Sequence, residues 1–282
     1  MHTITFTCET ITPMFLSGAD GTTPELRAPS IKGALRFWWR AMNGHLGLGD
    51  LKKVEGEIFG DTDKRSSFAM QVIEPQALEK LSQVVLPHKE RSFSKWAFKP
   101  RQLFQVVFRC RNEKTKQLIE NLFPLCCILG GFGGRSRRGF GSISLKNSNY
   151  PNTLTAIKNL LDNIVPNKFT LQSNELIYLT TLKNQYPYIE SITIGRADAQ
   201  MLRKIGQVTH EQKQQYGRRY DAIVGSASPR FASPVYVSTI QTPQGVQSII
   251  TTLHHASKDA IHVPSTNEIS RVQGNFKQQI IQ

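Results

Sequence analysis

Twelve residues near the middle of the chain combine the residue types that bind phosphate. The stretch 130–141 reads GGFGGRSRRGFG, with six glycines and three arginines. Glycine lets the backbone adopt positive φ and approach another molecule closely, and a guanidinium group pairs with phosphate through several N–H donors. The pattern therefore predicts an anionic ligand held by backbone amides and arginines. The residues assigned to this contact are Gly133, Gly134, Arg135, Arg137, Arg138 and Phe140.

This loop differs from the well-known phosphate-binding turns. The GxxxxG of 134–139 is followed by Phe-Gly, where a P-loop needs lysine and a hydroxyl residue. A Rossmann turn leads from a strand into a helix, whereas here a predicted helix precedes and a strand follows. Residues 138–143 match the start of an RRM's RNP1 motif except at Ser142, and they follow the second helix rather than the first. Two interpretations remain: one wall of an RNA groove, in which Phe132 and Phe140 anchor the loop or stack on bases, or a loop tucked against a neighbouring domain.

A second basic pattern lies on a predicted helix from Ser30 to about Gly44. On a helical wheel Lys32, Arg36 and Arg40 lie together, away from the apolar side. Cations in the first turns oppose the helix dipole unless an anion is bound there. We interpret this stripe as a phosphate site; the alternative is an ordinary amphipathic helix whose cations face water. Trp39, beside the stripe, is assigned either to the rim of the core or to base stacking.

The overall charge favours a polyanionic partner. In 282 residues, 35 Lys and Arg outnumber 21 Asp and Glu, which gives a net charge of +14. Such an excess suits nucleic acid or an anionic membrane surface. The stretch Pro87–Lys116 interleaves Trp96, Phe98 and Phe104 with cations, a mixture typical of single-stranded nucleic-acid binding and unlike a membrane-surface helix. A mobile solvated loop is the alternative for that stretch.

Nothing in the sequence predicts a membrane or secretory location. No segment approaches the roughly 18 apolar residues of a membrane span, and the N-terminus, MHTITFTCETIT, alternates like a strand rather than a signal peptide. The four cysteines lack metal spacing, and Cys126 and Cys127 have the pattern of core positions. We expect a cytoplasmic protein with no membrane partner.

The predicted elements of residues 1–150 follow the order β-α-β-β-α-β. Strands are expected at His2–Thr10, Ser67–Glu74, Leu103–Cys110 and Gly141–Leu145, and helices at Ser30–Gly44, Leu51–Phe59 and Glu113–Leu129. Ser30 is the expected N-cap of the first helix, and Pro124 is expected to kink or break the last. This order is the ferredoxin-like plan of the α+β class.

Residues 151–282 are predicted to form a second, irregular α+β domain, with the boundary near Tyr150–Asn152. Helices are expected at Thr153–Val165 and His210–Val224. Val235–Ile240 and Val246–Leu253 are expected to pair as a hairpin around Pro-Gln-Gly.

Catalysis is not expected. Metal-independent RNA cleavage needs a general base near a 2′-OH, typically histidine. His45 is the best placed of the seven histidines, but its position on the wheel predicts a packing residue. Asp61 and Asp63 are the one close carboxylate pair, which is weak evidence for a metal. We therefore predict no catalytic residue, no metal and no cofactor.

The two basic motifs together resemble the RAMP superfamily of CRISPR effector proteins. The first helix opens with SIKGALR at 30–36, and a glycine-rich loop follows the second helix, as in that family. The continuation RFWWR at 36–40, with ITPMFLSGAD upstream, is similar to the first subunits of type III-B Cmr complexes in particular. The resemblance covers about residues 1–145, and SASPRFASP at 226–234 adds to it.

The resemblance implies an RNA-binding subunit, without catalytic activity, of an RNA-guided complex in antiviral defence. Its partners would be single-stranded RNA, as guide or target, and the other Cmr subunits. It would lie near the 3′ region of the guide, and its second domain would be a modified ferredoxin-like unit. The alternative is a metal-independent endoribonuclease of the same superfamily that processes CRISPR RNA.

Overall fold

The protein has an α+β architecture, as predicted. The computed structural model describes residues 1–89, 92–146, 151–180, 186–217, 223, 225–227, 230–254 and 265–282. These residues form two larger antiparallel sheets and two short hairpins, with helices packed on them. In this described part of the chain, no helix is long and apolar enough to cross a membrane.

The first half contains a ferredoxin-like sheet. Its elements are β1 (His2–Thr10), α1 (Ala28–Met42), α2 (Leu48–Phe59), β2 (Phe68–Ile73), β3 (Lys80–Val84), β4 (Ser94–Phe98), β5 (Leu103–Cys110), α3 (Glu113–Leu129) and β6 (Ile143–Leu145). The strand order is β2-β5-β1-β6, and each neighbouring pair is antiparallel. The predicted strands and helices are confirmed, with ends that differ by a few residues.

The predicted N-cap of α1 is wrong, and the break considered at Pro124 is not found. The N-cap of α1 is Arg27 rather than Ser30, and no side chain caps it; Pro29 lies in the first turn, where a missing N–H costs little. Pro124 does not break α3, which continues to Leu129. The residues around Pro124 are buried, so tertiary packing outweighs one lost backbone hydrogen bond.

The basic insertion between β2 and β5 forms a hairpin that the sequence did not predict. β3 and β4 pair antiparallel, with Ser82 opposite Trp96. The backbones of Phe98 and Met14 exchange two hydrogen bonds of 3.0 and 3.1 Å, which fasten the hairpin to the first half. Its strands are joined by a long connection rather than by a two-residue turn, so the usual sequence signal is missing.

The second half forms a five-stranded antiparallel sheet with flanking helices. Its elements are α4 (Leu154–Ile164), β7 (Phe169–Gln172), β8 (Glu175–Tyr178), β9 (Ile189–Ala197), α5 (Met201–Tyr216), β10 (Ser226–Ala227), β11 (Arg230–Phe231), β12 (Val235–Thr242), β13 (Gly245–Leu253) and α6 (Thr266–Ile281). The predicted first helix and the β12–β13 hairpin are confirmed. The helix predicted at His210–Val224 is wrong in its bounds, since α5 ends at Tyr216; residues 218–222 and 224 lie outside the described residues.

The second sheet is a modified version of the first. Its order is β12-β13-β9-β8-β7. Apart from the short β10–β11 hairpin between α5 and β12, the elements β9, α5, β12, β13 and α6 come in the order of the first five elements of a ferredoxin-like unit. A final strand would lie beside β9, and β8, which precedes β9 in the chain, occupies that place. This arrangement agrees with the second domain implied by the family resemblance.

One apolar cluster joins the two halves. Helix α3 contacts strands of both sheets, and its residues Cys126 and Cys127 are fully buried, as predicted. The cluster includes Phe123 of α3, Ile157 of α4 and Ile240 of β12. Because the core is continuous, the division into 1–150 and 151–282 stays a prediction, and Tyr150 of the expected boundary lies outside the described residues.

Candidate nucleic-acid interface

The glycine-rich loop (residues 130–141) packs tightly against its own chain. A Cβ at Gly133, where φ is +89°, would lie 2.2 Å from the Phe15 carbonyl oxygen. A Cβ at Gly141, where φ is +68°, would lie 2.1 Å from the Phe132 carbonyl oxygen. Real side chains do not fit at these distances or adopt this backbone readily. These two glycines are therefore explained by packing within the protein.

The expected use of loop amides as phosphate donors needs correction. The Gly134 N–H donates to the Phe15 carbonyl at 2.7 Å, and the Gly139 N–H donates to the Val237 carbonyl at 2.7 Å. Gly134 is exposed, but its amide is already used. An N–H bonded in this way is not available to a phosphate.

Two of the loop arginines tie the loop to the start of β12. Arg137 Nη1 donates to the Ser233 carbonyl at 2.8 Å, and its guanidinium lies 4.8 Å from the ring centre of Tyr236. Arg138 Nη1 donates to the Val235 carbonyl at 3.0 Å. Burial first, and the neighbouring arginines second, lower the pKa of Arg138. Both arginines therefore have a structural role besides their charge.

Two aromatic residues assigned to RNA lie in the core. Phe140 is 1% exposed and packs on Phe15, with ring centres 5.0 Å apart. Trp39 is 3% exposed and packs on Phe59, with ring centres 6.1 Å apart. A base can stack only on a ring face that it can reach. The expectation of base stacking at these two positions is therefore corrected to a packing role.

The two arginines of the α1 stripe pair with one carboxylate within the protein. Arg36 and Arg40 both donate to the buried carboxylate of Glu55 on α2. Burial alone raises the pKa of Glu55, but hydrogen bonds from Arg40 and Arg36 outweigh it, so the pKa lies below its ordinary value. Arg36 and Arg40 share this one carboxylate and keep a net positive charge, so a phosphate contact by these arginines stays a prediction.

Lys32 lies on the same helix but away from the loop. Its ammonium group lies 5.3 Å from the ring centre of Phe68. Burial first, and Arg36 second, lower the pKa of Lys32. The structure thus brings Lys32, Arg36 and Arg40 together with each other, and none of them lines the cavity beside the glycine-rich loop. An RNA contact by this second surface stays a prediction.

A cavity of 830 Å³, here named the loop cleft, lies beside the glycine-rich loop. Its walls come from four parts of the chain that are distant in sequence: residues 86–89, loop residues 133–138, one side of α5, and residues 231–233. The side chains that determine its chemistry are His88, Lys89, Arg135, Arg137, Arg138, His210 and Lys213.

The loop cleft is strongly cationic. Lys89 and Lys213 are exposed at its walls, and the three loop arginines are half-buried in it. Among the described residues that line it there is no carboxylate. Like charges along a concave wall focus the potential and raise the local concentration of anions. The arrangement suits a phosphodiester chain better than a single metabolite anion, because the charges are spread along its length.

Three buried polar atoms beside the loop cleft have no hydrogen-bond partner among the described residues. They are Nε of Arg135 and both ring nitrogens of His88. The His88 ring lies 5.2 Å from that of His210, centre to centre. Burial first, then His210, Lys89 and Arg135, lower the pKa of His88. Leaving such groups unpaired costs about 1–3 kcal/mol each, so they mark positions where a polar ligand is favoured.

Four functional side chains were missed by sequence reasoning. Lys89 lies in the basic stretch that the sequence did single out. His88, His210 and Lys213 carry no local signal, because their shared cavity depends on how α5 packs against the loop and the segment before β4.

A second cavity of 600 Å³, here named the aromatic cleft, adjoins the first. Phe93 and Trp96 line it and are 59% and 57% exposed. The prediction that Trp96 is a surface aromatic is consistent with this position, whereas Phe98 and Phe104 belong to the core.

The other candidates for chemistry have structural roles. His45 Nδ1 lies 3.0 Å from the Tyr178 hydroxyl, which confirms the expected packing role, and burial first and Lys168 second lower its pKa. Asp61 accepts from the amides of Asp63 and Lys64 at 2.9 and 2.7 Å, as a turn carboxylate does. In the described residues, no group of three or more metal-ligating side chains is found.

The first half of the chain matches a known superfamily. Residues 7–144 match the model of the RAMP superfamily, and this part of the chain belongs to that superfamily. More particularly, the chain is homologous to the first subunit of Cmr complexes. It is 29% identical over 180 residues to the CRISPR system Cmr subunit Cmr1-2 of Pyrococcus furiosus, covering 52% of this chain and 96% of that protein.

Two solved structures show the same fold over nearly the whole chain. The crystal structure of Cmr1 from Pyrococcus furiosus, in its apo form, matches with a TM-score of 0.67 and 20% identity, covering 99% of this chain and 97% of that one. A chain of the type III-B Cmr-beta complex bound to cognate target RNA and AMPPnP, in the presence of ssDNA, matches with a TM-score of 0.62 and 13% identity, covering 98% and 99%. At these identities the likeness concerns the fold.

Proposed function

We propose that the protein is a non-catalytic RNA-binding subunit of a CRISPR type III-B Cmr effector complex. In this proposal it contacts guide or target RNA near the 3′ region of the guide, beside other Cmr subunits. The homology to Cmr1 supports the assembly, and the loop cleft supports the contact with RNA. The single observation that carries the proposal is a concave wall of cations in which the described lining residues include no carboxylate and three buried polar atoms have no partner among the described residues.

The RNA contact of this proposal differs from the one that the motifs alone indicate. Phosphates are bound by Lys89, Lys213 and the guanidinium of Arg135, while Arg137 and Arg138 supply charge from fixed positions in the wall. The loop amides hold the loop in shape rather than the RNA.

A second candidate function is metal-independent RNA cleavage, and the His88–His210 pair is the observation that favours it. A neutral imidazole beside cations is the arrangement that transphosphorylation needs: one base for the 2′-OH proton and one acid for the leaving 5′-oxygen. Incubation with RNA in a chelator separates the two functions. A 2′,3′-cyclic phosphate product that disappears in His88→Gln would replace the binding proposal with the enzyme.

Removing the two exposed lysines of the loop cleft is expected to weaken RNA binding without unfolding the protein. For Lys89→Gln with Lys213→Gln we expect affinity for an oligouridylate of about 12 nucleotides to fall by about tenfold at moderate salt. The slope of log K against log salt is expected to shrink by about 1.4, because each lost phosphate contact removes about 0.7 for a single strand. Fluorescence anisotropy across a salt series measures both quantities.

The matched control removes the same charge elsewhere. Lys52→Gln with Lys53→Gln changes two exposed lysines on α2 that line neither cleft. An equal loss of affinity in the control would show that net charge, not the loop cleft, attracts the RNA, and would contradict the proposal.

RNA affinity is expected to rise as the pH falls. The pKa of His88 is lowered by burial and cationic neighbours, so His88 is neutral at pH 7 in the free protein. A bound phosphate stabilises the protonated ring, so binding takes up protons and strengthens below histidine's ordinary pKa of about 6.5. We expect a gain of about fivefold between roughly pH 7.5 and 5.5. Oligouridylate is the suitable probe, since uracil does not titrate in that range.

Variants assign this pH dependence to a side chain. His88→Gln is expected to flatten it, while His45→Gln, which changes a histidine that lines neither cleft, is expected to leave it unchanged. Affinity that is independent of pH in the unmodified protein would contradict the placement of phosphate beside His88.

A further inference from the structure

We propose that Phe93 and Trp96 form a base-stacking platform for the same RNA strand whose phosphates occupy the loop cleft. This inference rests on the proposed function and adds where the bases go. Its occupant is single-stranded RNA, with bases in the aromatic cleft and backbone following the cationic wall.

The two rings are unusual in their exposure. Trp38 and Trp39 are 1% and 3% exposed, whereas Trp96 is 57% exposed. Phe93 and Trp96 are the large aromatic side chains among the exposed hydrophobics of the described residues, and both line one cavity. Exposed aromatic side chains grouped in a cleft usually indicate a binding surface.

The two clefts share one wall. Gly133, Gly134 and Arg135 line both of them, so the turn of the glycine-rich loop is their common wall. Gly133 and Gly134 are exposed and carry no side chain, so nothing projects from the shared wall at these two positions. A flexible single strand can therefore pass from one to the other over these glycines.

The charge around the aromatic cleft fits RNA rather than an apolar protein segment. Lys95 lies between the two aromatic residues in the sequence and is exposed, and Arg135 closes the other side. Among the described residues that line this cleft there is no carboxylate. Stacking faces with cations beside them are the arrangement by which single strands are bound without sequence preference.

The platform is held firmly. Trp96 lies in β4, which pairs along its whole length with β3. The next two residues, Ala97 and Phe98, are buried, and Phe98 bonds to the backbone of Met14. A ring on a fixed strand loses little entropy when a base stacks on it.

The intrinsic fluorescence of Trp96 can show whether a base stacks on its ring. Because the other two tryptophans are buried, the solvent-exposed part of the intrinsic fluorescence comes from Trp96. Titration with oligouridylate is expected to quench that emission and to protect it from acrylamide. Trp96→Phe is expected to abolish the change in signal while retaining most of the affinity, since a phenyl ring still stacks.

Affinity measurements then isolate the stacking energy. Trp96→Ala with Phe93→Ala is expected to lower affinity at least tenfold, as stacking contributes about 1–3 kcal/mol per base. The salt slope is expected to stay unchanged, because no phosphate contact is removed. Circular dichroism and thermal unfolding check that the variant folds, and Trp96→Phe serves as the conservative variant.

The outcomes separate this inference from the function on which it rests. Unmodified protein that fails to bind RNA overturns both. RNA binding that depends on Lys89 and Lys213, without quenching of Trp96 and without loss of affinity in the alanine variant, overturns only the platform. Protection of Trp96 by other Cmr subunits but not by RNA would assign the surface to a protein partner and would also overturn it.

Discussion

Replacing Gly141 with alanine is expected to lower the free energy of unfolding by about 4 kcal/mol. The backbone there has φ +68°, and a Cβ would lie 2.1 Å from the Phe132 carbonyl oxygen. Left-handed backbone at a non-glycine residue costs about 1 kcal/mol or more, and forcing atoms into a packed core adds about 1–3 kcal/mol. The backbone cost arises at residue 141 itself. The steric cost cannot be relieved by moving the Phe132 carbonyl away, because Phe132 is buried.

Gly33→Ala is the matched control for this substitution. Gly33 lies inside α1, is exposed, and no described atom lies within 4 Å of a Cβ built on it. Alanine is expected to stabilise the protein there by about 0.5–1 kcal/mol, since glycine loses more chain entropy in a helix. Urea unfolding followed by circular dichroism measures both variants. A Gly141→Ala protein as stable as the unmodified one would contradict the packing role given to the loop glycines.

Arg138→Ala is expected to destabilise the protein by about 3 kcal/mol. Its guanidinium donates to the carbonyls of Val235 and Arg137 and lies 5.6 Å from the ring centre of Phe276. Hydrogen bonds of charged groups contribute about 1.5–3 kcal/mol, and the carbonyls they leave behind stay partly buried. The loss weakens the attachment of the loop to β12 and α6.

Arg138→Lys is expected to restore only part of that stability. Both hydrogen bonds come from the single nitrogen Nη1, and the shorter lysine side chain does not carry its ammonium group to that position or place a planar group near Phe276. We expect RNA affinity to fall in Arg138→Ala in parallel with stability. The Lys89→Gln, Lys213→Gln protein, in contrast, is expected to lose affinity while remaining folded. An Arg138→Ala protein of unchanged stability but reduced RNA affinity would assign Arg138 to RNA rather than to the fold.

The sequence correctly predicted those helices and strands that are specified by residues close together in the chain. β1 begins and ends as its alternation indicated, and α3 spans Glu113–Leu129 with Asn112 as its cap. The β3–β4 hairpin was missed because no short turn signal joins its strands, whereas α6 was missed although Ser265 and Glu268 form a capping box at its start. The bounds of α5 were wrong because its buried apolar residues, Met201, Ile205 and Val208, lie in its first half, before the predicted start at His210.

The sequence predicted which residue types form the site, but not which groups their side chains contact. The glycine-rich loop does border a cationic cavity, but Phe140 and Trp39 turn inward, and the arginines of α1 pair with Glu55. A helical wheel separates polar from apolar positions, yet it cannot show whether a cation meets water, RNA or a carboxylate on another helix.

The sequence by itself determined the basic character of the chain, the ferredoxin-like order of its first half and the motifs that relate it to the RAMP superfamily. These properties depend on residue types and on short-range periodicity. Only the tertiary structure decided which cations share a cavity, because the walls of the loop cleft come from residues 86–89, 133–138, 206–213 and 231–233. Segments so far apart are brought together by burial of apolar surface, and the partners of each charge follow from that path of the chain.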